Sequence, residues 1–361
     1  MPSPKLISRF SEIGINDRPT VGGKGASLGE LARAGIRVPP GCVVTTAAFE
    51  RFLAAVDPHG SIRREMERLV PNDHAACTRS SAEVRGRVEA AALPKDLQEE
   101  ISNHYEELRA ESGSRDESEP VAIRSSATSE DSADASFAGL QDTYLWVRGV
   151  DSVIEHVRKC WASLYAVESV VYRRRLKLPE QGLAMGVVIQ RMIDSRCAGV
   201  MFTRSPNTGD RSVVAVEASW GLGSAVVSGE VTPDKHVVSK ITGEIISRTV
   251  STKMRLHRPN PAGAGVLDEE VPTDQQNVAC LSDDELHALV DIARRVERHY
   301  GCPQDIEWAI ARGLPPGENV FLLQSRPETV WSSKDAAPVA APKSKPFDHV
   351  FSLLSGGAAK K

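Results

Sequence analysis

Several short stretches carry residue types that could handle a phosphorylated, metal-bound ligand. The first is VAIRSSATSEDSADASFAGLQDTYL, residues 121–145. An apolar run, Val121 to Ile123, leads into Arg124. The guanidinium therefore stands on a held backbone, and its planar fork can be aimed at phosphate oxygens. Hydroxyls follow at Ser125, Ser126, Thr128, Ser129, Ser132 and Ser136. The small residues of SFAGLQDT let backbone N–H groups approach an anion. A solvated serine-rich loop is the competing reading, and the strand-like runs on both sides weigh against it. The second stretch is VGGKGASLGEL, residues 21–31, where Lys24 lies among glycines ahead of an apolar helical pattern. A lysine in a strand-to-helix turn suits a phosphate ligand. The stretch is not a Walker A loop, since GxxxxGK[ST] is absent. An ordinary helix start with a solvated lysine is the alternative.

A hairpin near the C-terminus offers metal chemistry. DIEWAIA, 305–311, and VFLLQSR, 320–326, flank the turn RGLPPGEN. Strand alternation puts Asp305, Glu307 and Ala309 on one face and Ile306, Trp308 and Ile310 on the other. On the return strand Val320, Leu322, Gln324 and Arg326 share a face. In one register, carboxylates and an amide oxygen converge beside a guanidinium, and hard oxygens suit Mg²⁺ bound to substrate phosphates. The pattern does not fix the register, and a rim ion pair is the alternative. In VVIQRMI, 187–193, polar residues interrupt an apolar strand. Its exposed backbone could pair with an adenine edge, or the strand simply leaves the core there. In EASWGLGSAVVSGEVTPD, 217–234, Glu217 ends a strand and glycines follow. That segment reads as a ribose holder and mobile lid, or as a plain loop.

The elements that must position these residues are legible as periodicities. Leu97, Ile101, Tyr105 and Leu108 predict a helix over 95–112. Ile154, Val157, Trp161, Leu164 and Val171 predict one long helix over 151–177, ending in cations. After Pro179 the texture turns to β-branched runs: GLAMGVVIQRMI, CAGVMFT, SVVAVEAS, HVVSK and EIISRTV. A helix over 283–300 is framed by a Ser282/Glu285 capping box and by Gly301. Beyond Trp331 the composition is that of a linker.

Composition removes several functions. The chain has 361 residues, is 41% hydrophobic and 25% charged, and carries a net charge of −4. This suits a globular protein of two or three lobes. It gives no broad basic field for nucleic acid or anionic membrane. Aromatics, at 5%, are too sparse for a base-stacking surface. No apolar run is long enough to span a membrane, and MPSPKLISRF has no signal core. The six cysteines are scattered without a CxxC pair, as expected of reduced core thiols in the cytoplasm.

Taken together, the motifs resemble the nucleotide-binding domain of the phosphoenolpyruvate synthase and pyruvate phosphate dikinase family. GGKGASLGEL, VPPGC, VAIRSSATSEDSADASFAGLQDTYL, VVIQRMI, GVMFT, EASWGLG, SGEVTPD, QDIEWA and LLQSRPET come in family order over residues 5–331. The resemblance implies an α+β, ATP-grasp-like two-lobed fold. Residues 1–190 would be the lobe holding the phosphate-binding cations, 191–331 the adenine, ribose and metal lobe, and 332–361 a linker and tail. It implies Lys24 and Arg124 on the ATP phosphates, with Ser136, Phe137, Ala138, Gly139 and Leu140 closing over them. Gln190 with the backbone of Arg191 and Met192 would face adenine, and Glu217 the ribose. Glu307 and Gln324 would hold Mg²⁺ with Asp305 nearby, and Arg326 would stabilise charge on the transferring group.

In such enzymes ATP gives a pyrophosphoryl group to a histidine on a swivelling domain, and that histidine then serves a third site. None of the nine histidines here sits in the family's TSH-type motif. The expectation is therefore a partner subunit that carries the histidine and the acceptor site, as in the split phenylphosphate synthase of anaerobic phenol metabolism. The alternative is a piece of a longer phosphoenolpyruvate synthase or rifampicin phosphotransferase. A non-catalytic nucleotide sensor and an interaction scaffold remain as readings of other classes.

Overall fold

The computed structural model describes residues 4–113, 118–128 and 142–332. Two sheets organise them, and every neighbouring pair of strands is antiparallel. The first sheet holds β1 (Ile7–Arg9), β2 (Gly41–Val44), β3 (Val121–Ala127), β4 (Thr143–Val147) and β5 (Met185–Arg191), in the spatial order β1-β2-β5-β3-β4. The second holds β6 (Ser195–Phe202), β7 (Val213–Trp220), β8 (Asp234–Ser239) and β9 (Ile245–Thr249). A separate two-stranded ribbon follows, β10 (Arg255–Pro259) with β11 (Val266–Glu270). The closing hairpin, β12 (Gln304–Ala311) and β13 (Val320–Pro327), then completes the second sheet in the order β13-β12-β6-β7-β8-β9.

Helices cover the sheets: α1 (Arg18–Arg33), α2 (Thr46–Val56), α3 (Ser61–Arg68), α4 (His74–Ala90), α5 (Lys95–Ser112), α6 (Val150–Ser163), α7 (Val167–Arg175), α8 (Ser224–Val227) and α9 (Asp283–Tyr300). The first core gathers Phe49, Phe52, Tyr105 and Trp161 against β2, β3 and β5. Phe52 and Trp161 stack with ring centroids 4.9 Å apart. The second core packs Leu286, Leu289, Val290 and Val296 of α9 against Trp308, Ile310 and Leu322. Helix α1 serves both sheets: Ala26 and Leu28 pack with Val43 and Val188, while Leu31 belongs to the second core. The chain up to Pro327 is one compact unit. The expected linker lies outside the described residues from position 333 onward. Among the described residues no helix is long and apolar enough to cross a membrane.

Helix α9 takes the bounds its capping pattern predicts. Ser282 N–H donates to Glu285 Oε2 at 3.0 Å, Glu285 N–H donates to Ser282 Oγ at 3.2 Å, and Gly301 turns left-handed at φ 69°. The expected single helix over 151–177 is two, α6 and α7. A turn at Leu164–Ala166 frees the Leu164 carbonyl, and the buried Arg173 donates to it at 2.8 Å while forking onto Glu180 at 3.1 Å twice. That buried pair ties the second helix back onto the end of the first. The apolar phase runs through both helices, so periodicity alone does not mark the break.

Candidate functional site

Arg124 is the centre of the site. It lies on β3 of the first sheet, yet its guanidinium reaches the closing hairpin of the second. Nη2 donates to Gln324 Oε1 at 2.7 Å and to Glu307 Oε2 at 3.1 Å, and Nη1 donates to the Leu323 carbonyl at 3.1 Å. Its side chain is 11% exposed and that of Glu307 is 26% exposed. Arg124 Nε is buried with no hydrogen-bond partner among the described residues. An unmet donor of this kind stands ready for a ligand oxygen.

The hairpin register explains the convergence. Asp305 opposes Arg326 and Glu307 opposes Gln324, so these four side chains share one face. A bulge follows at Glu307/Trp308, and Trp308 pairs with Leu322 rather than Leu323. The bulge corrects one expectation. Val320 and Leu322 turn into the core with Trp308 and Ile310, and do not share the face of Gln324 and Arg326. Without the extra residue, strict alternation would aim Gln324 and Leu322 the same way. Arg326 and Asp305 approach to 3.4 Å, with Arg326 half exposed.

A cleft of about 250 Å³ opens beside Arg124. Gln190, Arg191 and Met192 line it, as do Glu307, Thr143, Gly199 and Ser224. Of the backbone groups expected to face adenine, two donors are already in use. Arg191 N–H is already given to the Pro40 carbonyl and Met192 N–H to the Pro120 carbonyl, both at 2.9 Å. The Gln190 amide nitrogen is tied to the Pro39 carbonyl at 3.3 Å. These residues wall the cleft, but an adenine edge would have to break those bonds to use the two backbone donors.

Glu217 stands farther off. Glu307, Val200 and Glu217 form one cross-strand row over β12, β6 and β7. They therefore share a face, with Glu217 about 10 Å from Glu307 across two strand spacings. Glu217 lies 3.3 Å from Lys235 and does not line the cleft.

Lys24 stands half-buried inside α1, not at a strand-to-helix turn. The helix breaks two residues earlier, at Gly22, with φ 73°. A β-carbon on Gly22 would sit 1.9 Å from the Ser126 carbonyl oxygen, so glycine is what lets α1 lie directly on β3. Ser126 Oγ closes this joint by accepting from Gly25 N–H at 3.0 Å and donating to the Val21 carbonyl at 2.8 Å. Ser125 and Thr128 likewise donate to carbonyls, of Asp142 and Ala184. The described hydroxyls of this stretch are thus used on the fold. Ser136, Phe137, Ala138, Gly139 and Leu140 lie outside the described residues.

Four cleft residues lie inside the quoted motifs but have no individual role there: Thr143, Gly199, Ser224 and Leu323. Gly199 had a signal, since a glycine inside a β-branched run marks close backbone approach. A β-carbon there would meet the Glu217 carbonyl oxygen at 1.9 Å. Leu323 had none, because the bulge that exposes its carbonyl depends on pairing.

Residues 18–346 match the family described as pyruvate phosphate dikinase, AMP/ATP-binding domain. The chain belongs to this family. A probable phosphoenolpyruvate synthase of Methanothermobacter thermautotrophicus is 43% identical over 90% of this chain and 46% of its own length. The phosphoenolpyruvate synthase of Aeropyrum pernix is 38% identical over 94% of this chain and 44% of its own. A rifampicin phosphotransferase of a Streptomyces species is 40% identical over 91% of this chain and 36% of its own. The chain spans less than half the length of these relatives.

As an ATP-binding domain of the dikinase family, the chain has a donor set that can be tested for fit. The unmet Arg124 Nε and the fork beside it suit phosphate oxygens. Glu307 Oε2 and Gln324 Oε1 both converge on one cationic nitrogen. Two hard oxygens aimed at one positive centre suit Mg²⁺ that arrives with phosphates. Among the described residues no cluster of three or more His, Cys, Asp or Glu could hold a metal by itself.

Proposed function

We propose that the two sheets are the lobes of an ATP-grasp-like fold, and that the cleft between Arg124 and Gln190–Met192 binds Mg·ATP to begin phosphoryl transfer. The observation that carries this is the meeting of Arg124 with Glu307 and Gln324 at the cleft wall. Phosphoryl transfer needs positioning and charge neutralisation more than covalent help from the protein. Arg124 and Lys24 would hold phosphate oxygens, with residues 136–140 covering them. Glu307 and Gln324 would hold the metal, which supplies charge neutralisation at the phosphates. Asp305 lies 3.4 Å from Arg326 at the outer end of the same face, where the half-exposed guanidinium would stabilise charge on the transferring group. Arg191, Met192 and Gln190 would wall the adenine. Glu217 would act at one remove, through the row it shares with Glu307.

The pyrophosphoryl group is proposed to pass to a histidine on a partner subunit or domain, leaving AMP and later phosphate. No histidine lines the cleft among the described residues, which supports an acceptor brought from elsewhere. The final acceptor is proposed to be phenol, giving phenylphosphate, in a split enzyme. A second reading, the ATP-binding part of a phosphoenolpyruvate synthase or rifampicin phosphotransferase, is supported by the names of the relatives. Cytoplasmic location is proposed from the six free cysteines.

ATP labelled at the β-phosphate, with Mg²⁺, tests transfer on this chain alone and with histidine-bearing candidate partners. Gels run under alkaline conditions preserve phosphohistidine. Label on a partner is expected. Label on this chain alone would make one of its own histidines the carrier and end the reading of transfer in trans.

A further inference from the structure

The β10–β11 ribbon brings a side chain behind the cleft wall that no motif announces. His257, in β10, docks on the loop between β7 and α8. Its carbonyl accepts from Leu222 N–H at 2.8 Å, and it bridges to Gly221. The fit at this contact is close: a β-carbon on Gly221, at φ 76°, would stand 2.2 Å from the His257 carbonyl oxygen. The imidazole lies between two side chains. Nδ1 is 2.8 Å from Ser224 Oγ, and Nε2 is 3.1 Å from Glu230 Oε2. Ser224 lines the cleft. The His257 side chain is 15% exposed and that of Glu230 is 57% exposed, so the relay runs from solvent to the cleft wall.

The chemistry of the three groups sets its polarity. The Glu230 carboxylate only accepts, so Nε2 carries the proton. In that tautomer Nδ1 is bare and can accept the Ser224 O–H. The hydroxyl has spent its donor, and its lone pairs are what remain for a ligand. This part of the wall asks for a hydrogen-bond donor.

Position along the cleft names the donor. Ser195 Oγ donates to the Gly221 carbonyl at 2.8 Å, fastening the loop where β6 begins, close to Gln190–Met192. A β-carbon on Gly223 would lie 3.4 Å from that of Ala198. Val200, two residues on and about 7 Å along the strand, opposes Glu307. The loop thus covers the middle of the cleft, between the wall assigned to the base and the cations assigned to the phosphates. A nucleotide placed in that direction has its sugar at this level.

The geometry points to Ser224, oriented by His257 and Glu230, as the acceptor for a sugar hydroxyl of the bound nucleotide, and so as a determinant of ribonucleotide over deoxyribonucleotide binding. Ser224 touches the ligand; His257 and Glu230 are positioning residues. The inference rests on the proposed nucleotide cleft.

The test is equilibrium binding of Mg·ATP, Mg·2′-deoxyATP and Mg·3′-deoxyATP to the full chain and its variants, with circular dichroism as the folding control. The unaltered chain is expected to bind ATP roughly 5- to 10-fold more tightly than one of the deoxy analogues. Ser224→Ala should bring ATP down to that analogue's level without further loss for the analogue. His257→Phe should erase the same discrimination, and Ser224→Thr, which keeps the hydroxyl, should retain it. Equal affinity of the unaltered chain for all three nucleotides would overturn the inference and leave the nucleotide cleft standing. Discrimination that survives Ser224→Ala would do the same. Failure of the unaltered chain to bind ATP would overturn the cleft itself.

Discussion

Arg124 Nη2 meets a carboxylate and an amide that enter the chain 183 and 200 positions later. The sequence marks Arg124 as a held cation and Glu307 and Gln324 as oxygen ligands. It does not say that cation and oxygens satisfy one another before any ligand arrives, because that contact depends on how two sheets meet. The serine-rich run shows the opposite error. Its hydroxyls suggest anion binding, yet Ser125, Ser126 and Thr128 spend theirs on backbone carbonyls. A hydroxyl beside a buried strand has carbonyls closer than any solute, and composition cannot rank the two. A different single residue sets a pH dependence. His236 is buried, and neither ring nitrogen has a hydrogen-bond partner among the described residues. Burial, opposed by the nearby Asp234 carboxylate, holds its pKa below the ordinary value near 6.5. The unfolded chain then binds a proton that the folded chain resists. Stability is present above the unfolded pKa and falls as pH drops through it toward the lower folded value. Urea unfolding at several pH values should show this fall below about pH 6.5, and His236→Leu should flatten it. An identical pH profile in both proteins would show that His236 is not the source.

At the scale of elements, two devices place the site residues, a helix broken on a strand and a hairpin with a bulge. Gly22 breaks α1 so that the helix segment carrying Lys24 lies against β3. Gly22→Ala puts a methyl group into the Ser126 carbonyl and a side chain at positive φ. The expected loss is about 2–4 kcal/mol, from overpacking plus a left-handed backbone, read as a lower urea midpoint. A midpoint unchanged within error would show that the helix can lift off the strand at no cost. GGKG looked like a phosphate loop because glycines serve close approach to an anion and close approach to a neighbouring backbone equally well. The two cannot be told apart without the partner strand. The hairpin was legible as two strands with carboxylates on one face, and the pairing Glu307↔Gln324 is the register those carboxylates suggested. The bulge was not legible, since its cause is the pairing of Trp308 with Leu322 in the core. Helix α9 was legible to its ends because capping is local. The break between α6 and α7 was hidden because the apolar phase runs through both helices, and the buried pair Arg173–Glu180 that fastens the turn leaves no mark on that phase.

Across the whole molecule, two cores sit under separate sheets, joined by α1 and by side chains that cross between them. Arg124 reaches from the first sheet to the hairpin of the second, and Ser27 of α1 donates to the Ser325 carbonyl at 2.7 Å. On the proposed site, the cross-sheet contact at Arg124 is one that a bound nucleotide would tighten or release. The family assignment fits a chain whose motifs run in order from Lys24 to Arg326, although no one of them would identify it. The measurement that tests the central claim most directly is calorimetric titration of Mg·ATP into the unaltered chain, Arg124→Ala and Glu307→Gln, with thermal melts as the folding control. Saturable binding by the unaltered chain is predicted, weakened roughly 10- to 100-fold in Arg124→Ala as charged hydrogen bonds are lost. Glu307→Gln should lose the magnesium dependence of binding. Folded Arg124→Ala and Glu307→Gln proteins that bind Mg·ATP as the unaltered chain does would place the nucleotide elsewhere and contradict the account.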